Sequence, residues 1–132
     1  MILKAENKWV RDKYIVEYDK ELKLITFEIP DNQHLNSEDV LEMIADQELL
    51  LGKRKHFKKL IVAGKYFSID ADARKTLESK MLPADMEAHV FSGLAQRIMF
   101  NMFVKLRKNT HPLKAFSSVD EAKNWLNSIR MD

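Results

Sequence analysis

The run Leu60-Ile61-Val62-Ala63 limits the possible folds more than any other feature of the sequence. A short, unbroken apolar run of this kind is typical of a strand that is covered on both faces. Such strands lie inside sheets that carry helices on both sides. Residues 60–63 are therefore predicted to form a central strand of an α/β sheet.

Two antiparallel strands are predicted ahead of this run. Apolar and aromatic residues occupy alternate positions within residues 13–18 and again within residues 22–29, which is the period of a half-buried strand. The polar residues 19–21 form a turn between them, and Pro30 ends the second strand. A β-hairpin is the expected structure.

Helix signals divide the rest of the chain. Asn36 is a good N-cap, Asp39 lies at the third helical position, and Gly52 ends the segment, so a helix is predicted between Asn36 and Gly52. The order β-β-α-β-α-β-α-β-α predicts a mixed, mostly parallel sheet with an antiparallel N-terminal hairpin and flanking helices. The further predicted elements are a helix capped by Asp70, a strand over 86–91, a helix over 94–108, a strand over 112–116 and a helix capped by Ser118.

Composition narrows the class of protein. The 132 residues are enough for a single domain, predicted over 1–132, and 22 basic against 20 acidic residues argue against nucleic acid as the partner. The absence of cysteine excludes disulfides and thiolate sites. Since no segment has the length and hydrophobicity of a signal peptide or a membrane span, we expect a cytoplasmic protein.

No catalytic motif is present. The four histidines, His34, His56, His89 and His111, have no metal-ligand spacing, and neither a nucleophile elbow nor a glycine-rich phosphate loop occurs. The sequence therefore predicts neither an enzyme nor a bound metal or cofactor.

Residues 59–62, 95–103 and 113–126 carry a resemblance to a known family. In the last of these, a strand that ends in Phe116-Ser117-Ser118 leads into an acidic helix with alanine and tryptophan. These segments resemble the STAS superfamily, in particular its small bacterial branch of anti-sigma-factor-antagonist-like (SpoIIAA-like) proteins. The resemblance implies a STAS-like fold for the whole chain and a regulatory rather than an enzymatic role.

The chain departs from the STAS pattern at the regulatory position. STAS switch proteins carry Asp-Ser-Ser-Gly at the start of the helix after the third strand, and a partner kinase phosphorylates one of the serines. The comparable residues 68–73 read Ser-Ile-Asp-Ala-Asp-Ala, which puts Asp72 at the phosphoacceptor position. A carboxylate brings a fixed negative charge and cannot take serine's place as acceptor. Ser68 is left as a substitute acceptor.

A ligand or partner site, if there is one, is expected at the carboxyl ends of the parallel strands. The amides that follow Gly93 could hold an anion there, but a plain helix cap is the favoured explanation. The candidate residues at this edge are Ser68, Asp70, Asp72, Ser92, Gly93, Gln96 and Arg97.

The predicted helix over 94–108 has two apolar faces. Leu94, Ile98 and further apolar residues share a broad face that the core can cover. Phe100 and Val104 lie on the opposite side and form a patch that the sheet is not expected to bury. We interpret this patch as a contact with another chain or an apolar ligand; two exposed residues without a role are the alternative.

Basic residues are expected to collect at the amino-terminal edge of the sheet. A shared positive patch and ordinary solvated loops both explain them, and a patch would attract nucleic acid or anionic lipid. The residues are Lys53, Arg54, Lys55, Lys58, Lys59, Lys105, Arg107 and Lys108.

Two functions remain open from the sequence. The leading hypothesis is a non-enzymatic STAS-like regulatory or interaction module that binds a protein partner or a second copy of itself, with Phe100 and Val104 at the contact. The alternative is a carrier or sensor of a lipid-like or other small apolar ligand. The methionines that could line an adaptable cavity for it are Met81, Met86, Met99 and Met102.

Overall fold

Nine strands and three complete helices are described in the structure, a computed structural model that covers residues 2–5, 7–94, 96–98, 100, 101 and 111–128. The strands are β1 (Ile2–Ala5), β2 (Lys8–Val10), β3 (Ile15–Asp19), β4 (Leu24–Ile29), β5 (His34–Leu35), β6 (Lys58–Ala63), β7 (Ser68–Ile69), β8 (Met86–Phe91) and β9 (Leu113–Phe116). The helices are α1 (Ser37–Leu51), α2 (Ala71–Lys80) and the C-terminal helix (Val119–Asn127). The described residues between 94 and 101 are also helical, and they are called the 94–101 segment below.

Seven strands form one sheet in the order β1-β2-β3-β4-β6-β8-β9. The strands from β1 to β4 pair antiparallel, and β4, β6, β8 and β9 continue the sheet in parallel. A second, two-stranded parallel ribbon joins β5 to β7. No described helix has the length and hydropathy needed to cross a membrane.

Local signals set the ends of the elements. The turn between β3 and β4 is closed by Asp19 Oδ1, which accepts hydrogen bonds from the amides of Glu21 and Leu22. Asn36 and Asp39 form a capping box at the start of α1, and Gly52 ends that helix with a positive φ of 61°. The predicted cap and end of this helix are confirmed.

The two faces of the sheet are covered differently. On one face, α1 packs Met43, Leu50 and Leu51 against buried residues of β3 and β4, and α2 lies beside α1. On the other face, Ala122 and Leu126 of the C-terminal helix cover the start of β4 and the centres of β6 and β8.

The predicted fold class is confirmed: a mixed α/β structure with an antiparallel N-terminal hairpin, parallel strands and flanking helices. Two features are additional. Strands β1 and β2 extend the hairpin, and the β5–β7 ribbon has only two residues in each strand. Strands of two to four residues are too short for a period-2 pattern to reveal them.

Candidate ligand cavity

Strand β8 divides its side chains between two environments. Met86, Ala88 and Val90 are buried beneath the C-terminal helix, whereas the alternate residues Glu87, His89 and Phe91 are half-buried and point to the other face. Successive strand residues face opposite sides of a sheet. The parallel register aligns Lys59, Ile61 and Ala63 of β6 with Glu87, His89 and Phe91 respectively.

These six residues form the floor of a half-enclosed cavity of about 550 Å³. The wall opposite the floor is α2 and the residues that follow it, and the 94–101 segment closes one end. Most lining side chains are apolar. Beyond the floor, the lining residues are Ile29, Leu35, Met43, Phe67, Ile69, Arg74, Leu77, Glu78, Met81, Leu82, Pro83, Gln96, Phe100, His111 and Leu113.

A small polar cluster occupies part of this floor. Lys59 Nζ is 4.0 Å from Glu87 Oε1, and the Lys59 side chain is only 3% exposed. His89 Nε2 lies 2.5 Å from the other oxygen of Glu87, Oε2. His111 Nδ1 is buried, and it has no hydrogen-bond partner among the described residues.

Burial and charge shift the ionisation of this cluster. Burial lowers the pKa of Lys59, and the nearby Glu87 carboxylate opposes this shift. Burial alone would raise the pKa of Glu87, but the hydrogen bond from His89 and the electrostatic influence of His89, Lys59 and His111 bring it down to about 2. Glu87 is therefore anionic at neutral pH, which favours the charged form of Lys59.

The polar cluster lies at the opposite end of the strands from the predicted site. Lys59 and Glu87 are near the amino-terminal ends of β6 and β8, while the carboxyl ends contribute Ala63 and Phe91. Of the residues predicted at the carboxyl edge, Gln96 lines the cavity. Arg97 is not among the lining residues, and its guanidinium Nη1 donates to the carbonyl oxygen of Phe91 at 2.9 Å.

Ser68 and Asp70 are joined by a residue that the sequence did not indicate. His34 Nδ1 lies 2.6 Å from Ser68 Oγ, and His34 Nε2 lies 2.6 Å from Asp70 Oδ1. Both side chains of the His34–Asp70 pair are about half exposed. The contacts link β5 to β7 and to the start of α2, and Asp70 makes no side-chain cap hydrogen bond there. Asp72 is exposed in the first turn of α2.

The remaining carboxyl-edge residues lie where β8 meets the 94–101 segment. The carbonyl oxygen of Gly93 accepts the first helical hydrogen bond from the amide of Arg97. The carbonyl oxygen of Ser92 lies 3.4 Å from Arg97 Nη1. These contacts are those of an ordinary strand-to-helix junction.

The orientation predicted for the 94–101 segment is wrong. Phe100 does not point away from the sheet: its ring centroid lies 4.5 Å from that of His89 and 5.4 Å from that of Phe91. Leu94 and Ile98, which were assigned to the core, are 63% and 51% exposed. The ring of Phe100 packs against these two rings of the sheet, and such aromatic pairs add stability beyond the area that they bury. Val104 lies outside the described residues.

The predicted basic patch is wrong at two of its residues. Lys58 and Lys59 belong to β6 and are buried, one on each face of the sheet, with Lys58 Nζ donating to the carbonyl oxygen of Leu126. The sequence predicts both lysines in a basic loop, because the strand begins two residues before its apolar run. Lys53, Arg54 and Lys55 are exposed. Lys105, Arg107 and Lys108 lie outside the described residues.

The sequence predicts methionines around a cavity and no role for the histidines, whereas the described lining includes two histidines. Met81 lines the cavity as expected, but Met86 faces the C-terminal helix, and Met99 and Met102 lie outside the described residues. His89 and His111 reach the cavity, although their sequence spacing gave no signal. The available signal was the alternation of Glu87 and His89 within a strand, which places both side chains on one face.

Comparison with known proteins bears on both the family and the fold. A family model described as a domain of unknown function, DUF7793, matches residues 18–130. None of the curated proteins compared with the chain matches it. The chain is similar to the crystal structure of an uncharacterized protein of the DUF3478 family with a SpoIIAA-like fold from Shewanella loihica PV-4, at 16% identity, with a TM-score of 0.64 and coverage of 94% of this chain and 98% of that one. The SpoIIAA-like fold expected from the sequence is confirmed.

Proposed function

The chain belongs to the DUF7793 family, and we propose that it is a non-enzymatic binding protein that encloses a small, mostly apolar ligand in the cavity. The observation that carries the proposal is the cavity of about 550 Å³ between α2 and the sheet. Cavities of roughly 300–1,000 Å³ with apolar walls and a few polar groups are the usual form of small-molecule sites.

Packing energetics support a ligand over a packing defect. Protein interiors are close-packed, and an unfilled cavity costs stability in proportion to its volume. The cavity is half open to solvent, so only part of this cost applies here. Water that enters the open part of the cavity reduces this cost, but it cannot form hydrogen bonds with apolar walls. An apolar ligand removes the cost more completely.

The side chains around the cavity favour binding over catalysis. Among the described residues that line it, none is serine, threonine, cysteine or tyrosine. Hydroxyl and thiol nucleophiles are therefore missing from the described walls, and the Ser68–His34–Asp70 contacts lie on an exposed part of the β5–β7 ribbon.

A protein partner is a second candidate, and Leu94 and Ile98 favour it. Both side chains are more than half exposed and lie four residues apart on the 94–101 segment, where they form one apolar strip. In this STAS-like regulatory interpretation, ligand occupancy takes the place of a phosphorylation switch, because Asp72 occupies the phosphoacceptor position. We place both activities in the cytoplasm, in keeping with the cysteine-free sequence.

Native mass spectrometry combined with a probe titration tests the first proposal. We expect the freshly purified protein to carry extra mass that is lost on denaturation, and the delipidated protein to increase the fluorescence of 1-anilinonaphthalene-8-sulfonate. Ile61→Trp fills the floor of the cavity and should abolish probe binding. Leu49→Trp adds the same ring at a residue that is 70% exposed and away from the cavity, and it should bind the probe normally. Equal binding by the two variants would overturn the proposal.

Sizing of the protein tests the second candidate. Ile98→Glu places a charge in the exposed strip and should shift a dimer or complex towards the monomer. Tyr66→Glu makes the same charge change at another highly exposed residue and serves as the control. If neither substitution changes the native mass, the strip is not a contact surface.

A further inference from the structure

Lys59 carries N–H donors that no described residue uses. Its ammonium group is an N–H donor with three protons, and its ion pair with Glu87 at 4.0 Å is longer than a hydrogen bond. The other nearby groups are the ring faces of Phe27 and Phe57, each about 6.0 Å from Nζ. Among the described residues, Lys59 therefore has an ion pair but no hydrogen bond.

The groups next to Lys59 do not accept a hydrogen bond from it. Glu87 is held by His89 through Oε2, so the carboxylate is already satisfied on one side. His111 Nδ1 is a buried nitrogen without a hydrogen-bond partner among the described residues. In its Nδ1-protonated form this ring donates a hydrogen bond. The polar end of the cavity thus presents donors from Lys59 and from this form of His111, and Glu87 Oε1 is too far from Lys59 Nζ, at 4.0 Å, to accept a hydrogen bond.

Buried donors are costly unless something accepts their hydrogen bonds. A carboxylate is well suited to accept these hydrogen bonds, because it is small and forms several charge-assisted hydrogen bonds at once. The rest of the cavity has apolar walls formed by residues such as Ile61, Phe67 and Leu77. These walls match a hydrocarbon or aromatic body.

We propose that the ligand is an amphipathic monocarboxylate, whose carboxylate accepts hydrogen bonds from Lys59 and His111 while its apolar body lies along the rest of the cavity floor. This inference rests on the proposed function and specifies the chemical class of the ligand. Lys59 is then the residue that determines specificity for the head group.

Decanoate and 1-decanol have the same chain length and differ in their head groups. A comparison of the two therefore isolates the contribution of the carboxylate. In calorimetric titrations we expect the wild-type protein to bind decanoate at least tenfold more tightly than decanol, since a hydrogen bond to a charged group contributes about 1.5–3 kcal/mol. Lys59→Met should remove this preference by weakening the binding of decanoate. Lys55→Met makes the same charge change at an exposed residue outside the cavity and should behave as wild type.

A second variant guards against misfolding. Lys59→Met leaves the buried Glu87 without its cation, so Lys59→Met/Glu87→Gln removes both charges and should show the same loss of preference. If wild type binds both compounds equally, or if Lys59→Met weakens both equally, the head-group inference fails while cavity binding stands. If neither compound binds and Ile61→Trp gives the same result as wild type, the proposed function fails as well.

Discussion

Lys59 and Glu87 are register partners on the parallel strands β6 and β8, and Lys59 Nζ lies 4.0 Å from Glu87 Oε1 on the sheet face that also carries His89. Replacing a buried ion pair by two apolar residues is often neutral or stabilising, because the cost of desolvation offsets the attraction of the charges. The fold alone therefore does not explain the pair. The carboxylate ligand that we propose would give the pair a role in binding.

Glu87 should make the stability of the protein depend on pH in the acidic range. Its pKa is lowered from 4.5 to about 2 in the folded protein. A carboxylate whose folded-state pKa lies below its unfolded value adds stability above pH 4.5, and this contribution is lost as the pH falls towards 2. At about 1.4 kcal/mol per pKa unit, its upper limit is on the order of 3 kcal/mol.

Urea unfolding at pH 6 and at pH 3 measures this contribution. Glu87→Gln should be less stable than wild type at pH 6, and it should lose less stability on acidification, because the amide does not titrate. Equal losses for the two proteins would show that Glu87 does not have the lowered pKa.

Arg11 and Asp46 should contribute strongly to stability through a buried contact. Arg11 donates to Asp46 from Nε at 2.8 Å and from Nη2 at 2.5 Å, and Tyr14 donates to Asp46 from its hydroxyl group at 2.5 Å. Asp46 is fully buried on α1, so the contact joins that helix to the N-terminal strands. Arg11→Met should lower the free energy of unfolding by about 3 kcal/mol, because it leaves a buried carboxylate without its cation.

A double-mutant cycle isolates this contact. Asp46→Asn removes the charge that Arg11 neutralises, so Arg11→Met/Asp46→Asn should be less destabilised than the sum of the single variants. Chemical denaturation of the four proteins gives the coupling energy. Strict additivity would contradict a direct interaction.

The order of the elements was predictable because its signals are local. Asn36, Gly52 and Ser118 act on residues within one turn of the helix that they begin or end, and the structure places all three at helix ends. The strands β1, β2, β5 and β7 could not be predicted, because two to four residues are too few to show a strand period. For β5 and β7, the pairing also joins residues that are 34 positions apart.

The cavity could not be predicted because it depends on how elements pack against each other. Counting apolar residues assigned Phe100 to the outside of its helix, whereas contacts with His89 and Phe91 bring it to the sheet. Lys59 was similarly grouped with exposed lysines. Only the strand register shows that it faces Glu87.

Asn36 and Asp70 should differ in their importance as helix caps. The side chain of Asn36 accepts a hydrogen bond from the amide of Asp39 at 3.0 Å, and Asp39 returns a hydrogen bond to the backbone of Asn36. Asp70 makes no such bond and contacts the half-exposed His34 instead. Asn36→Ala should therefore cost about 1 kcal/mol, and Asp70→Ala less. Equal losses in thermal or urea unfolding would contradict the assigned caps.

Gly64 should tolerate no side chain, because the backbone between β4 and β5 lies against its α-carbon. A Cβ atom at Gly64 would lie 2.5 Å from the backbone nitrogen of Asp31 and from the carbonyl carbon of Pro30. These are main-chain atoms held by the hydrogen bond from the amide of Gly64 to Ile29 at 2.7 Å, so they cannot move aside cheaply. Gly64→Ala should lower the free energy of unfolding by about 2 kcal/mol or more.

Gly93→Ala is the matched control for this substitution. Its Cβ atom would come within 3.1 Å of Gln96 Oε1, the end of a flexible side chain that can rotate away. We expect a change of less than about 0.5 kcal/mol in urea unfolding, as for substitutions away from packed features. If Gly64→Ala proves as mild as Gly93→Ala, the close approach of the segment after β4 to the end of β6 does not exist in solution.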